Sequence, residues 1–151
     1  MDDKSFISEL HRALARPDTE SLTRDLEDYF QFSFDAGKLR ASSPESGNFA
    51  AVMDADRDDP ERGLAYLALA MQKYDDPAFL GLLAAGLLED LLRDPTPEIL
   101  ARILAEARKT PRFRWMLSGV WLHVIAERAR GPVRGAVGEC RLELPLPPAP
   151  Y

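Results

Sequence analysis

The sequence predicts an all-α fold, a compact bundle of six or seven helices with HEAT-like antiparallel helix pairs. Three observations support this prediction. The strongly periodic segments repeat their apolar residues at helical spacing. Four predicted helix starts consist of a capping residue followed by proline. A hydrophobic content of 46% in 151 residues is typical of a globular chain that is long enough to bury one core.

The N-terminal third predicts two helices and a loop. A first helix covers about residues 5–15 and ends before Pro17. Asp18 can cap a second helix, whose apolar stripe includes Leu22 and Leu26, with acidic residues mostly off that stripe. The segment 37–48 is rich in Ser and Gly, which indicates a loop, and a short helix can follow it.

Four helix starts follow, each a capping residue placed before a proline at the first helical position. They are Asp59-Pro60, Asp76-Pro77, Thr96-Pro97 and Thr110-Pro111. The second of these helices is apolar nearly all round, so we expect it in the middle of the domain. Within it, Gly81, Ala85 and Gly86 would let a neighbouring backbone come close. In the last helix, periodicity places Trp121 in the core.

The C-terminal end has weaker signals. We expect residues 1–131 to form a single helical domain and residues 132–151 to form an extension. Gly131-Pro132 should end the last helix, and residues 137–144 could form a short strand. Residues 144–151 predict a stiff, polyproline-like tail that either packs on the domain or hangs free.

Charge and composition exclude several classes of protein. The formal net charge is -6, and residues 1–60 hold fourteen Asp and Glu against seven Lys and Arg. Nucleic-acid and anionic-membrane binding both need a concentrated basic face, so we expect neither. No apolar run is long enough to span a bilayer, and the start lacks the features of a secretory signal. We therefore expect a cytoplasmic protein.

Motifs for catalysis or cofactor binding are absent from the sequence. There is no P-loop, no dinucleotide-binding glycine motif and no serine nucleophile motif. His11 and His123 have no carboxylates at metal-ligand spacing, and Cys140 is the single cysteine. We therefore expect no catalytic residues, no cofactor and no metal.

Two stretches carry a family resemblance. They are residues 79–92, which end in Leu-Glu-Asp-Leu-Leu, and residues 111–121, which begin Pro-Arg-Phe-Arg-Trp and end in Val-Trp. Together they resemble an uncharacterised bacterial helical family, the domain of unknown function 6869, over roughly residues 59–127. Members often carry Gly-Pro-Leu-Glu-Asp where this chain has Gly-Leu-Leu-Glu-Asp, which predicts a straighter helix here. The resemblance implies the fold and no activity.

The motif that resembles the family also suggests a structural ion pair. Glu89 and Asp90 are adjacent, so their side chains point about 100° apart and cannot share a proton. We expect them to pair with Arg112 and Arg114 at the start of the last helix and so tie two helices together.

Function is predicted only at the level of class. A helical stack without a polar pocket signature favours a protein-protein interaction module, and one concrete candidate is an immunity or antitoxin-like partner of a basic protein. The predicted partner-binding residues are acidic, namely Asp25, Asp28, Asp54 and Asp56. Trp115 lies on a second face of the last helix, which is either covered by the tail or exposed as a docking surface.

Two alternatives remain open. One is an enzyme or small-ligand binder with its site between the N-terminal helices and the stack, using Tyr29, Tyr74 and the Asp75-Asp76 pair. The other is a structural subunit, a homo-oligomer that buries an apolar patch around Trp115.

Overall fold

The computed structural model describes residues 6–34 and 49–150, except for the side chains of residues 32–34, 49, 56 and 58. In this part the chain is all-α, as predicted, and has no strand. The loop predicted at 37–48 and the first five residues lie outside the described part. The helices are α1 (Glu9–Leu14), α2 (Thr19–Phe34), α3 (Phe49–Asp58), α4 (Pro60–Lys73), α5 (77–91), α6 (Pro97–Lys109), α7 (Pro111–Leu117) and α8 (Glu127–Val137).

The four predicted proline starts are confirmed. In three of them the capping side chain accepts a hydrogen bond from an amide of the first turn, at 3.2 Å for Asp59, 3.0 Å for Asp76 and 3.2 Å for Thr96. At the fourth, the Thr110 hydroxyl instead donates to the side chain of Glu106. Local capping chemistry therefore marks the start of three of these helices, and all four have proline at the first helical position.

Helix α4, and not α5, lies at the centre of the bundle. Residues 63–71 of α4 are all buried, and α1, α2, α3, α5 and α7 contact this helix. By contrast α5 has a solvent-exposed side, on which Ala78, Leu82 and Ala85 lie. The central position predicted for α5 is therefore wrong. The HEAT-like pairing of helices stays a prediction.

Helix α5 contains an irregular segment. It is α-helical over Pro77–Leu83, π-helical over Ala84–Leu88 and α-helical again over Glu89–Leu91, in the position where a straighter helix was expected. A methyl group added at Gly81 or Gly86 would meet no described atom within 4 Å. The prediction that these glycines admit a neighbouring backbone is therefore wrong for the described residues.

Trp121 lies outside the helix that was expected to bury it. Helix α7 ends at Leu117, so helical periodicity does not extend to Trp121. The Trp121 backbone N–H donates to Glu89 Oε2 at 3.1 Å, and the side chain is 63% exposed. The predicted burial of Trp121 is wrong because the chain leaves the helix four residues earlier.

Helix α8 continues through Gly131-Pro132, where a break was predicted, and so crosses the boundary predicted between residues 131 and 132. Pro132 costs one backbone hydrogen bond. Burial of Ala129, Val133 and Ala136, which lie at spacings of four and three residues, offsets that cost. The helix ends at Gly138, whose φ of +58° is readily adopted only by glycine.

Candidate functional site

The acidic side chains of α2 are buried in the bundle. Asp25 is 7% exposed, and its Oδ2 accepts a hydrogen bond from the Tyr66 hydroxyl of α4 at 2.6 Å. Asp28 is buried as well. Burial, and secondly the hydrogen bond to Asp25, raises the pKa of Tyr66. Asp25 therefore ties α2 to α4, and neither carboxylate is exposed to a partner.

The other two predicted acidic residues lie on α3. Asp54 is partly exposed and forms an ion pair with Arg57, one turn later, at 3.4 Å. The side chain of Asp56 lies outside the described residues. Because two of the four carboxylates are buried, the prediction that they form one exposed acidic surface is wrong.

The predicted ion pair between two helices is not formed either. Arg112 and Arg114 are two residues apart on α7 and therefore point to different sides. Each of the four side chains has other partners. Glu89 accepts the Trp121 backbone N–H (3.1 Å), and Asp90 pairs with Arg93 (2.9 Å). Arg112 pairs with Asp75 (2.7 Å), and Arg114 donates to the carbonyls of Ala107 and Arg108 (2.9 and 2.8 Å). Arg112 nevertheless has a structural role, since its pair with Asp75 ties α7 to the end of α4.

The alternative site predicted around two tyrosines is an aromatic cluster. The Tyr74 ring lies 4.8 Å from Phe79, and Tyr29 lies 6.0 Å from Phe79, measured between ring centroids. Burial raises the pKa of Tyr74 to about 12. Asp75 pairs with an arginine of α7, and Asp76 caps α5. Both carboxylates thus have structural partners, and a ligand site at these residues stays a prediction.

A pocket of about 230 Å³ does lie between the N-terminal segment and α6. Phe6 and Ile7 give the pocket apolar walls. Glu9 and Arg102 also line it and form an ion pair with 2.7 Å between the carboxylate oxygen and the guanidinium nitrogen. Arg102 also contacts Glu61 of α4. Sequence reasoning missed this ion pair because the two residues are 93 positions apart.

Glu106 lies beside this ion pair as a fully buried carboxylate. Its Oε1 accepts the Glu9 backbone N–H at 2.5 Å, and its Oε2 accepts the Thr110 hydroxyl. Burial raises the pKa of Glu106, and the two hydrogen bonds partly oppose this effect. Both oxygens are used in joining α1, α6 and α7, which indicates a structural role.

Trp115 is buried under the C-terminal tail. Its side chain is 2% exposed, and its indole N–H donates to the Leu144 carbonyl at 3.0 Å. The interpretation in which the tail covers this face is therefore confirmed. The alternative, in which Trp115 is an exposed docking residue or the centre of a subunit interface, is wrong for the chain in this state.

An exposed apolar surface lies on α5. We call it the α5 face; it consists of Ala78, Gly81, Leu82, Ala85, Gly86 and the neighbouring Trp121. Leu82 is 40% exposed. Ala85 lies one turn before Glu89, whose carboxylate accepts the Trp121 backbone N–H, so Trp121 lies near this end of α5. The spacing of Ala78, Leu82 and Ala85 was the available signal, but it was interpreted as core.

Residues 6–34 and 49–150 contain neither a metal-binding cluster nor a membrane-spanning helix. No group of three or more His, Cys, Asp or Glu side chains there could hold a metal ion. No helix of this part of the chain is both long and apolar enough to cross a membrane.

Comparison with known proteins gives one result. A model described as a family of unknown function (DUF6869) matches residues 40–137, which is more than half of the chain. The chain belongs to the DUF6869 family. This DUF6869 match includes the α5 face, Arg112 and Trp115, but ends before the tail. No curated protein and no solved structure matches.

Proposed function

We propose that this DUF6869 chain is a non-enzymatic protein-protein interaction module that binds its partner through the α5 face. The observation that carries the proposal is the exposure of Leu82 and Trp121, together with the open space beside Gly81 and Gly86 among the described residues. Contiguous exposed apolar surface of this kind marks interaction sites in soluble proteins.

The α5 face combines the features of an interface centre. Trp121 projects a large aromatic side chain, the type most enriched at binding hot spots. Gly81, Ala85 and Gly86 leave a shallow surface that a partner's backbone can approach closely. Asp90 and Arg93 lie just beyond it and supply a polar rim.

An immunity or antitoxin-like role was predicted from an acidic surface that would attract a basic protein. Asp25 and Asp28 are buried, so that surface is not formed. The proposed partner contact is therefore apolar, and the proposal includes no requirement for a basic partner.

The experiment compares affinity capture by three tagged forms of the full chain from its native host. The variant Leu82→Glu/Trp121→Ala alters the α5 face, and Leu14→Glu alters an exposed leucine on α1 as a matched control. We expect a protein that the wild type and the control retain and that the face variant loses, with all three forms equally stable to heat. Identical recovery by all three forms would contradict the proposal.

A second candidate function is small-ligand binding in the pocket beside Glu9 and Arg102. The pocket combines apolar walls with a charged pair, although about 230 Å³ is below the roughly 300–1,000 Å³ usual for ligand sites. A fragment screen by NMR on the wild type and on Ala101→Trp, which fills the pocket, tests it. Fragments that bind both forms equally well would contradict this candidate.

A further inference from the structure

The C-terminal tail is held on α7 by two hydrogen bonds to its backbone. The Trp115 indole N–H donates to the Leu144 carbonyl at 3.0 Å, and Arg112 Nε donates to the Pro147 carbonyl at 2.7 Å. The two carbonyls are three residues apart, which is one turn of a polyproline II helix. The two donors are also three residues apart, so they lie on one face of α7.

The domain holds the Arg112 donor independently of the tail. The remaining Arg112 nitrogens donate to the carbonyls of Met71 (2.8 Å) and Tyr74 (3.0 Å) and to Asp75 (2.7 Å), and the residue is 3% exposed. A guanidinium held in this way is preorganised to bind one more carbonyl. Because both donors bind backbone oxygen, they recognise an extended main chain rather than a particular side chain.

Apolar sockets add side-chain selectivity. Leu142 fills a notch at Gly119, where an added Cβ would lie 2.6 Å from Leu142 Cδ1. Leu146 packs partly buried against the core, whereas the side chain of Leu144 points to solvent. The surface therefore selects two leucines four residues apart in a proline-rich segment. We call it the tail groove, formed by Arg112, Trp115 and Gly119.

The groove and its occupant differ in how they relate to the family. Arg112, Trp115 and Gly119 lie within the match at residues 40–137, whereas the tail lies beyond it. The three groove residues thus belong to the matched region, and the tail does not. If the tail is displaced, the Arg112 and Trp115 donors lose these two carbonyl acceptors.

We propose that the tail groove is a binding site for an extended, leucine- and proline-rich segment of a partner protein, and that residues 141–150 are a built-in ligand that such a segment replaces. The site is separate from the α5 face and does not depend on it. A tethered ligand competes at an effective concentration of order millimolar, so the tail limits access to the groove. Gly138, with its φ of +58°, ends α8 just before the tail.

The experiment titrates a synthetic peptide of residues 141–150 into forms of the full chain by calorimetry. Leu142→Asp/Leu146→Asp displaces the tail and leaves the groove intact, and Leu144→Asp/Pro148→Asp adds the same charges at exposed positions. We expect the displaced form to bind the peptide at least about tenfold more tightly than the wild type and the control. Trp115→Phe in the displaced form should weaken binding about tenfold, since one hydrogen bond is lost.

An independent measurement shows whether the tail has left the groove. The indole N–H signal of Trp115, assigned with Trp121→Phe, reports whether the tail has left, and Leu146→Asp alone provides a milder displacement. Equal binding by displaced and wild-type chains, or equal binding of a peptide with both leucines replaced by aspartate, would overturn the proposal. A wild-type dimer that the peptide dissociates would assign the groove to the tail of a second copy and would also overturn the partner assignment.

Discussion

The two tryptophans should differ sharply in their contribution to stability. Trp115 is almost fully buried and hydrogen-bonded, whereas Trp121 is mostly exposed. Complete burial of a tryptophan removes roughly 250 Å² from water, worth about 6 kcal/mol at about 25 cal/mol per Å², as an upper bound. Measured losses for Trp→Ala in cores are about 3–5 kcal/mol, which we expect for Trp115→Ala. Trp121 buries little more than a third of its surface, so Trp121→Ala should cost below about 2 kcal/mol.

The assay is urea unfolding of the full chain, followed by circular dichroism at a helical band. Trp115→Phe serves as the milder substitution if Trp115→Ala does not fold, and it should lose about 1–3 kcal/mol because it keeps a ring and removes the indole donor. A loss from Trp121→Ala equal to that from Trp115→Ala would refute the reasoning, since it would place Trp121 in the core.

Three further predictions concern single side chains. Burial raises the pKa of Glu106 above its ordinary value of 4.5, so the contribution of Glu106 to stability is full below pH 4.5 and is lost as pH rises through its pKa in the folded protein. Glu106→Gln should remove that part of the pH dependence of the free energy of unfolding in urea. Parallel curves of this free energy against pH for wild type and variant would contradict the prediction. Gly81→Ala should raise the free energy of unfolding by about 0.5–1 kcal/mol, because the methyl group meets open space, and a decrease would reveal a neighbour there. Tyr66→Phe should cost about 1–3 kcal/mol in thermal unfolding, because it removes a donor from buried Asp25; an unchanged midpoint would show that the bond contributes little.

The parts of the fold that the sequence predicted are those that local chemistry determines. The proline starts were visible because the capping residue and the proline are adjacent, and in three of the four the cap binds an amide within one turn. The family motif pointed to the same helices. The helix through Gly131-Pro132 was missed because breaker rules are also local, while the burial of Val133 that outweighs them is tertiary.

The candidate site was harder to predict because its partners are distant in sequence. Asp25 lies three residues after Leu22, on the apolar stripe of α2, but its partner Tyr66 is 41 positions away. Glu89, expected to pair with an arginine, binds the amide of Trp121, 32 positions away. Trp115 binds a backbone carbonyl of the tail, and a carbonyl has no sequence signature.

The measurement that tests the proposed function most directly is photo-cross-linking in the native host. A photoreactive phenylalanine analogue replaces Leu82 on the α5 face or, in a second strain, Leu14 on α1, both exposed leucines. We expect a discrete cross-linked product of one partner protein from position 82 and none from position 14. The same products from both positions, or a product from position 14 alone, would contradict the assignment of the α5 face as the binding surface.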